Sequence, residues 1–215
     1  MKTSEKNIGD ERREYSGVKL IKEFLPDSPF ELFEIWMKNA LDLNIHDATA
    51  ATLATAGKDL KVSARMVLLK NHENGNFQFF GNYQSKKASQ LSQNPNAAML
   101  FYWKEQSRQI RIEGSVEKVP SEISDAYFIT RPELSRIAAI VSDQSRSISS
   151  RDALEKKFAE ACEKYKDSEI PRPENWGGWV LRAERMEFWQ GHENRLHDRI
   201  EYLKKNGTTR LYGKN

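Results

Sequence analysis

The stretch Glu187-Phe188-Trp189-Gln190-Gly191-His192-Glu193-Asn194-Arg195-Leu196-His197-Asp198-Arg199 places two arginines, two histidines and an aspartate behind a Phe-Trp pair. Leu196 is the only large apolar residue after Trp189, so the run lacks the alternation of a core strand. These groups suit a planar, anionic ligand. Guanidinium groups pair with phosphate and stack on flat rings, Trp offers a face, and imidazole exchanges protons near neutral pH.

Further candidates lie upstream. In Arg65-Met66-Val67-Leu68-Leu69-Lys70 two cations flank an apolar run, and their odd spacing would point them to opposite faces of an undistorted strand. Taken alone, that segment reads as an edge strand whose charges discourage aggregation. Ser85-Lys86-Lys87 sets a cap and two lysines where free helix N–H groups could meet a phosphate. Arg108-Gln109 and Gln144-Ser145 offer amides that both donate and accept, as the edge of a heterocycle requires. Tyr127, Arg131 and Ser135 recur at i, i+4 and i+8, but Pro132 predicts a break, so a loop and a helix start would present them jointly. Arg12-Arg13-Glu14-Tyr15 stands out in an otherwise polar N-terminal arm. His192 and His197 are five apart rather than four and no cysteine pair supports them, so no metal site is expected. Neither a G-x-x-x-x-G-K-[ST] nor a G-x-G-x-x-G loop is present, so a nucleotide would need another architecture.

The elements that must position these groups follow from periodicity and punctuation. Residues 1–25 read as a flexible arm and 26–215 as a single domain. Ser28-Pro29-Phe30-Glu31 has the N-cap, first-turn proline and capping-box glutamate of a helix running to about Leu43. Strands are predicted over Thr49–Ala56 and Lys61–Lys70 around a turn at Gly57-Lys58-Asp59, with Asn74-Gly75 closing a further hairpin onto Phe77–Asn82. A helix capped by Ser85 ends near Asn94-Pro95. Strands Ala97–Trp103 and Gln109–Val119 follow, then helices at about Ser121–Thr130, Leu134–Val141 and Arg151–Tyr165. Pro171-Arg172-Pro173 stops the last helix, and strands Gly178–Gln190, Leu196–Lys204 and Thr208–Tyr212 complete the chain, the last two joined by a turn at Asn206-Gly207. Hairpins without a βαβ order argue for an antiparallel barrel or curved sheet with helices outside it.

At 215 residues the chain suffices for one sizeable core. A net charge of +3 and a pI near 8.8 are mildly basic, which fits a pocket for small phosphates as well as a weak nucleic-acid surface and selects neither. Cys162 is the only cysteine, so no internal disulfide can form and a reducing compartment is expected. The charged N-terminus has no apolar h-region and no stretch approaches a membrane span, which makes the cytoplasm the expected location.

In chain order these segments resemble the pyridoxamine 5′-phosphate oxidase family. The match runs through Arg12 to Tyr15, Arg65 to Lys70, Asn82 with Ser85-Lys86-Lys87, Asn94-Pro95, Arg108-Gln109 with Glu113-Gly114, Tyr127-Phe128 with Arg131-Pro132 and Ser135, and Gln144-Ser145. It continues through Pro171-Arg172-Pro173 with Trp176-Gly177-Gly178, Glu187 to Gly191, and Arg195-Leu196-His197-Asp198-Arg199. The resemblance implies a mainly β, α+β fold: an FMN-binding split β-barrel of antiparallel Greek-key type with peripheral helices. It also implies a homodimer with FMN at the subunit interface, each site borrowing residues from both chains.

By the same resemblance, Arg65, Lys86, Lys87 and Ser145 would hold the FMN phosphate or its neighbourhood, and Met66, Val67, Leu68, Leu69, Lys70, Phe80 and Gly81 would join the cofactor site. Gln109, Gln144, Trp189 and Arg199 would surround the flavin ring. Lys70, Tyr127, Arg131 and Ser135 would grip a substrate phosphate. Arg195, Leu196 and His197 would lie against the pyridine ring, with Arg195, His197 and Asp47 as the catalytic set, and Arg12, Arg13, Glu14 and Tyr15 would fold over the substrate as a lid. The implied reaction is oxidation of pyridoxamine or pyridoxine 5′-phosphate to pyridoxal 5′-phosphate, with O2 reduced to H2O2. Lys86 stands where arginine is usual and Gly81 where a hydroxyl residue is, changes that bear on cofactor affinity more than on reaction type. Two other readings compete. A split-barrel flavin reductase would not need Lys70, Tyr127, Arg131, Ser135, Arg195 and His197 together, and a nucleic-acid-binding barrel would be colourless and strongly salt-dependent.

Overall fold

The computed structural model describes residue 8, residues 13–205 and residues 208–214; Arg12 and the Asn206-Gly207 turn lie outside the described residues. The chain divides into two units interleaved in sequence. The larger comprises Thr49–Phe101 and Arg111–Arg185, and the smaller the described parts of Met1–Ala48, Tyr102–Ile110 and Met186–Asn215. Strands β4 (Asn96–Trp103), β5 (Arg108–Lys118) and β6 (Trp176–Gln190) each contribute residues to both.

In the larger unit β1 (Ala50–Ala56) pairs antiparallel with β2 (Val62–Leu68) on one side and with β4 on the other. The hydrogen-bonded order continues through β5 to β6, and β3 (Asn76–Asn82) pairs antiparallel with β6 from Asn76↔Arg182 to Asn82↔Trp176. A bridge at Asn71↔Gln78 then joins β3 to the chain just beyond β2, so these six strands of an eight-stranded sheet curl back on themselves. The expected hairpin is present at its closed end, where the Lys70 N–H donates to the Gln78 carbonyl at 2.8 Å and the Gln78 N–H to the Asn71 carbonyl at 2.7 Å, but it extends no further. The chain does reverse at Glu73–Gly75, a 3-10 turn with Gly75 at φ 76°, but the ladder partner of β3 is β6. Gly177 and Gly178 on β6 leave room for Tyr83 and Phe80, with which Cβ atoms there would collide. Apolar alternation buries Leu53, Phe77, Phe79, Met99, Phe101 and Ile112 completely inside the sheet.

Four helices belong to this unit. α2 (Lys86–Gln93) starts at Ser85, whose hydroxyl accepts from the Ala88 N–H, and it buries Lys87, Ala88, Gln90 and Leu91. α3 (Ser121–Thr130) and α4 (Glu133–Val141) are separated by Arg131-Pro132, the predicted break. α5 (Arg151–Tyr165) is capped by Ser150 and packs with α3 and α4 around Phe128, Ile137, Ala161, Ile170 and Trp176.

In the smaller unit α1 (Pro29–Asp42) buries Leu32, Phe33, Trp36, Met37 and Ala40. Ser28 precedes it in extended geometry but its side chain makes no capping bond, so the proline at N1 and not a capping box sets the start. Trp36 meets Phe188 edge-on at 5.3 Å, and Phe188 meets Tyr202 at 5.7 Å. Burial pushes the Tyr202 hydroxyl up to about 12, and it donates to the Pro26 carbonyl at 2.8 Å. The C-terminal end of β6 leads to β7 (Asp198–Lys205), which pairs antiparallel with β8 (Thr208–Lys214).

Candidate functional site

Fourteen of the residues singled out by sequence line one cavity of about 930 Å3 in the larger unit: Arg65, Met66, Val67, Leu68, Lys70, Phe80, Gly81, Lys86, Lys87, Tyr127, Arg131, Ser135, Gln144 and Ser145. β2 supplies the first of these, β3 Phe80 and Gly81, α2 the lysines, and α3, α4 and the loop after α4 the rest. Lys70 shares the cavity with Arg65 despite the odd spacing. β2 ends at Leu68, so strand alternation stops before it reaches Lys70. Leu69 is buried and does not line the cavity.

Two cations meet at one end of α2. Arg65 donates through Nη1 to the Leu53 carbonyl at 2.9 Å and Thr55 Oγ1 at 2.7 Å, and through Nη2 to Ser63 Oγ at 2.6 Å. Lys87, 6% exposed, donates to Ser85 Oγ at 3.0 Å and Gln144 Oε1 at 2.8 Å. All these partners are neutral. Burial, and secondarily the charge of Arg65, pull the Lys87 ammonium down to about 8, while burial also lowers Arg65. A Cβ on Gly81 would stand 2.8 Å from Lys87 Nζ, so glycine leaves the ammonium room against the strand backbone. Two converging cations held only by neutral oxygens are what a phosphate dianion needs. The residues present therefore fit the phosphate end of FMN.

A second group of side chains lies on the same walls. Phe80 stacks on Tyr127 with centroids 3.9 Å apart, and Trp176 lies parallel to Tyr127 at 6.3 Å. The Arg131 guanidinium sits 4.6 Å over the Trp176 ring, and its buried Nη1 has no hydrogen-bond partner among the described residues. Arg131, held just outside α3 by Pro132, thus lines the cavity with its guanidinium braced on an aromatic face.

The smaller unit carries the other group. Tyr15 meets Trp189 edge-on at 5.5 Å and His197 at 5.1 Å, and Trp189 and His197 lie 4.7 Å apart. Arg13 and Arg195 approach the Tyr15 ring at 5.2 and 5.8 Å. Arg13 also donates to Tyr102 Oη, the Lys104 carbonyl and Ser107 Oγ, which ties Tyr15 down on the β4–β5 turn. Asn194 and Arg195 have positive φ, so a tight 3-10 turn delivers Arg195 and Leu196 to the surface ahead of β7. Burial, followed by the charges of Arg195, His192 and Arg199, lowers His197 from its ordinary value and so favours the neutral imidazole. Its Nδ1 accepts from the His192 N–H at 3.0 Å, so the ring proton resides on Nε2, and His197 can donate there but has no lone pair to offer. Arg199 lies 3.5 Å from the buried carboxylate of Glu187. Gln109 lies on β5 beside Arg108, which bonds Gln190 Oε1 at 2.9 Å and rests on Trp36. Glu14 is exposed. Asp47 occupies an exposed turn after α1 at φ 54°, 3.1 Å from His46, and touches neither residue group described above.

Sequence reading missed several residues in and around the cavity. Trp176 lay within a recognised segment without a role. Ser63, which lines the cavity, and Thr55 and Gln90 behind it hold Arg65, and of these only Gln90 gave a signal, as a polar residue on the buried face of α2.

The fold is that of the split-barrel proteins. PhzG from Burkholderia lata, solved with tetrahydrophenazine-1-carboxylic acid, superposes with a TM-score of 0.88 at 26% identity over 93% of this chain and 99% of that one. A pyridoxamine 5′-phosphate oxidase-related, FMN binding protein from Nostoc punctiforme shares the fold, with a TM-score of 0.72 at 14% identity over 89% of this chain and all of the other. Residues 37–165 match the family model of pyridoxamine 5′-phosphate oxidase, and 176–212 that of the pyridoxine 5′-phosphate oxidase C-terminal dimerisation region. Pyridoxine/pyridoxamine 5′-phosphate oxidases from Gloeothece citriformis and Cytophaga hutchinsonii are 46% and 47% identical, over 92% and 91% of this chain and 92% of each relative. The chain belongs to the pyridoxamine 5′-phosphate oxidase family and is an oxidoreductase. Among the described residues no helix is long and apolar enough to cross a membrane.

Proposed function

We propose that this protein is an FMN-dependent oxidase that converts pyridoxamine and pyridoxine 5′-phosphates to pyridoxal 5′-phosphate. The observation that carries the reading is the cavity, in which Arg65 and Lys87 form one anion-binding set and Arg131, Tyr127, Ser135 and Lys70 supply a second. Two phosphate grips in one cavity match one phosphorylated cofactor and one phosphorylated substrate. The identity to named relatives, 44–47%, also exceeds the 26% shared with PhzG, whose ligand name includes no phosphate.

The chemistry that FMN supplies when bound is acceptance of a hydride from the exocyclic 4′ carbon and delivery of the electrons to O2, giving H2O2. The chain's residues position the reactants for it. Arg65, Lys86, Lys87 and Ser145 bind the cofactor phosphate, and Gln144 offers an amide to the flavin edge. Lys70, Tyr127, Arg131 and Ser135 hold the substrate phosphate. Arg195 stabilises negative charge near the pyridine ring, and His197 donates a hydrogen bond from Nε2. Trp189, Arg199 and Gln109 serve the flavin, Arg13, Glu14 and Tyr15 cover the substrate, and Asp47 is the acidic member of the catalytic set. The dimerisation match supports a homodimer in which these smaller-unit residues complete the cavity of a second copy. The lone cysteine supports a cytoplasmic setting.

The test is direct. Purified protein should be yellow with an FMN spectrum, consume oxygen with either substrate, and release pyridoxal 5′-phosphate and H2O2 in equal amounts. Absence of pyridoxal 5′-phosphate with both substrates in flavin-loaded protein would remove the reading.

A further inference from the structure

We propose that Gln90 is the positioning residue for Arg65, and through it a determinant of the preference for a phosphorylated flavin over an unphosphorylated one. The inference rests on the reading of Arg65 as a phosphate ligand given above.

Gln90 is 8% exposed and sits on the buried face of α2 beside Lys87. A primary amide in that position is costly unless its groups are satisfied, and here they are. Nε2 donates to the Lys61 carbonyl at 3.1 Å, and Oε1 accepts from Thr55 Oγ1 at 2.7 Å and Ser63 Oγ at 2.6 Å. Those same hydroxyl oxygens accept from the two terminal nitrogens of Arg65. A hydroxyl has one proton, so committing it to Gln90 turns the oxygen lone pairs toward the guanidinium. Arg65 Nη2 also approaches Gln90 Oε1 directly, at 3.4 Å. One amide thus sets the orientation of both hydroxyls, and together they fix the plane of the guanidinium.

Charge explains why an amide is suited to the task. Glutamate could accept the same bonds, but its charge would pair with Arg65 and cancel the attraction for a dianion. Gln90 orients the cation and leaves its charge available.

The experiment compares FMN with riboflavin, which lacks the phosphate, by titrating the flavin-stripped full chain and following flavin fluorescence. Gln90→Leu should weaken FMN binding roughly tenfold, the worth of one hydrogen-bonded arrangement, and leave riboflavin binding unchanged. Gln90→Glu should weaken FMN at least as much, again sparing riboflavin. In an Arg65→Met background Gln90→Leu should have no further effect on FMN. Equal loss of both flavins would make Gln90 a structural residue only, and an unchanged FMN-to-riboflavin ratio in both Gln90 variants would overturn the inference. If Arg65→Met by itself leaves that ratio unchanged, the phosphate role of Arg65 falls first, a pattern distinct from failure of Gln90 alone.

Discussion

The main-chain N–H of His192 donates to Nδ1 of His197 at 3.0 Å, and a main-chain donor cannot reverse its role. The bond therefore holds the neutral ring in one tautomer with its proton on Nε2. Protonating His197 would break it. Since Arg195 is one of the charges that lower His197, Arg195→Gln should raise the imidazole toward its ordinary range. The acid limb of the pH–rate profile should then move to higher pH, and a limb that stays put or moves down would show that His197 is not the group titrating.

Lys87 gives a second pH signature. The unfolded chain retains this proton up to the ordinary 10.5, the folded chain only to about 8. Between those values the unfolded state binds more protons, so stability of the flavin-stripped protein should rise with pH across the window, by up to about 3 kcal/mol. FMN affinity should run the other way and fall above pH 8 as the ammonium is lost. Lys87→Met should remove both slopes, and urea melts at pH 7 and 9.5 beside flavin titrations at the same values decide the matter.

Arg131 and Arg195 should divide between binding and turnover. Arg131, at the cavity wall with its guanidinium over Trp176, is placed to bind a group that does not react. Arg131→Ala should raise KM about tenfold to a hundredfold, the worth of a charge-assisted hydrogen bond, with little change in kcat. Arg195→Ala should lower kcat more than Arg131→Ala does. Steady-state kinetics with the phosphate ester substrates read the division, and the reverse pattern would abolish it.

Gly191 controls how closely Tyr15 meets Trp189. A Cβ there would stand 2.7 Å from the Tyr15 ring and 2.9 Å from Trp189. Gly191→Ala should displace Tyr15, destabilise the fold by about 1–3 kcal/mol and slow turnover. An unchanged melting temperature and kcat would mean that Tyr15 has no fixed place against Trp189.

Local patterns made the strands and helices readable. Ser85, Pro132 and the alternating apolar residues of β1 and β3 act within a few residues of themselves, and the elements stand where those signals put them. What depends on distant partners was not readable. The pairing of β3 with β6 joins segments about a hundred residues apart, and the presence of Arg65 and Lys70 in one cavity depends on where β2 stops. The cavity residues were found through short motifs rich in cations and aromatics. Thr55, Ser63 and Gln90 belong to no such motif, since their part is to hold another side chain, and only three dimensions bring them to it.

Gly114 sets how closely two strands can lie. A Cβ at this point of β5 would collide with the Arg182 carbonyl on β6, and no other residue of β5 is glycine. The missing side chain lets the two backbones meet there at a separation that any other residue would forbid. The strand so approached carries Trp176 near one end and Trp189 near the other, so a methyl group added at Gly114 would press on the scaffold of both.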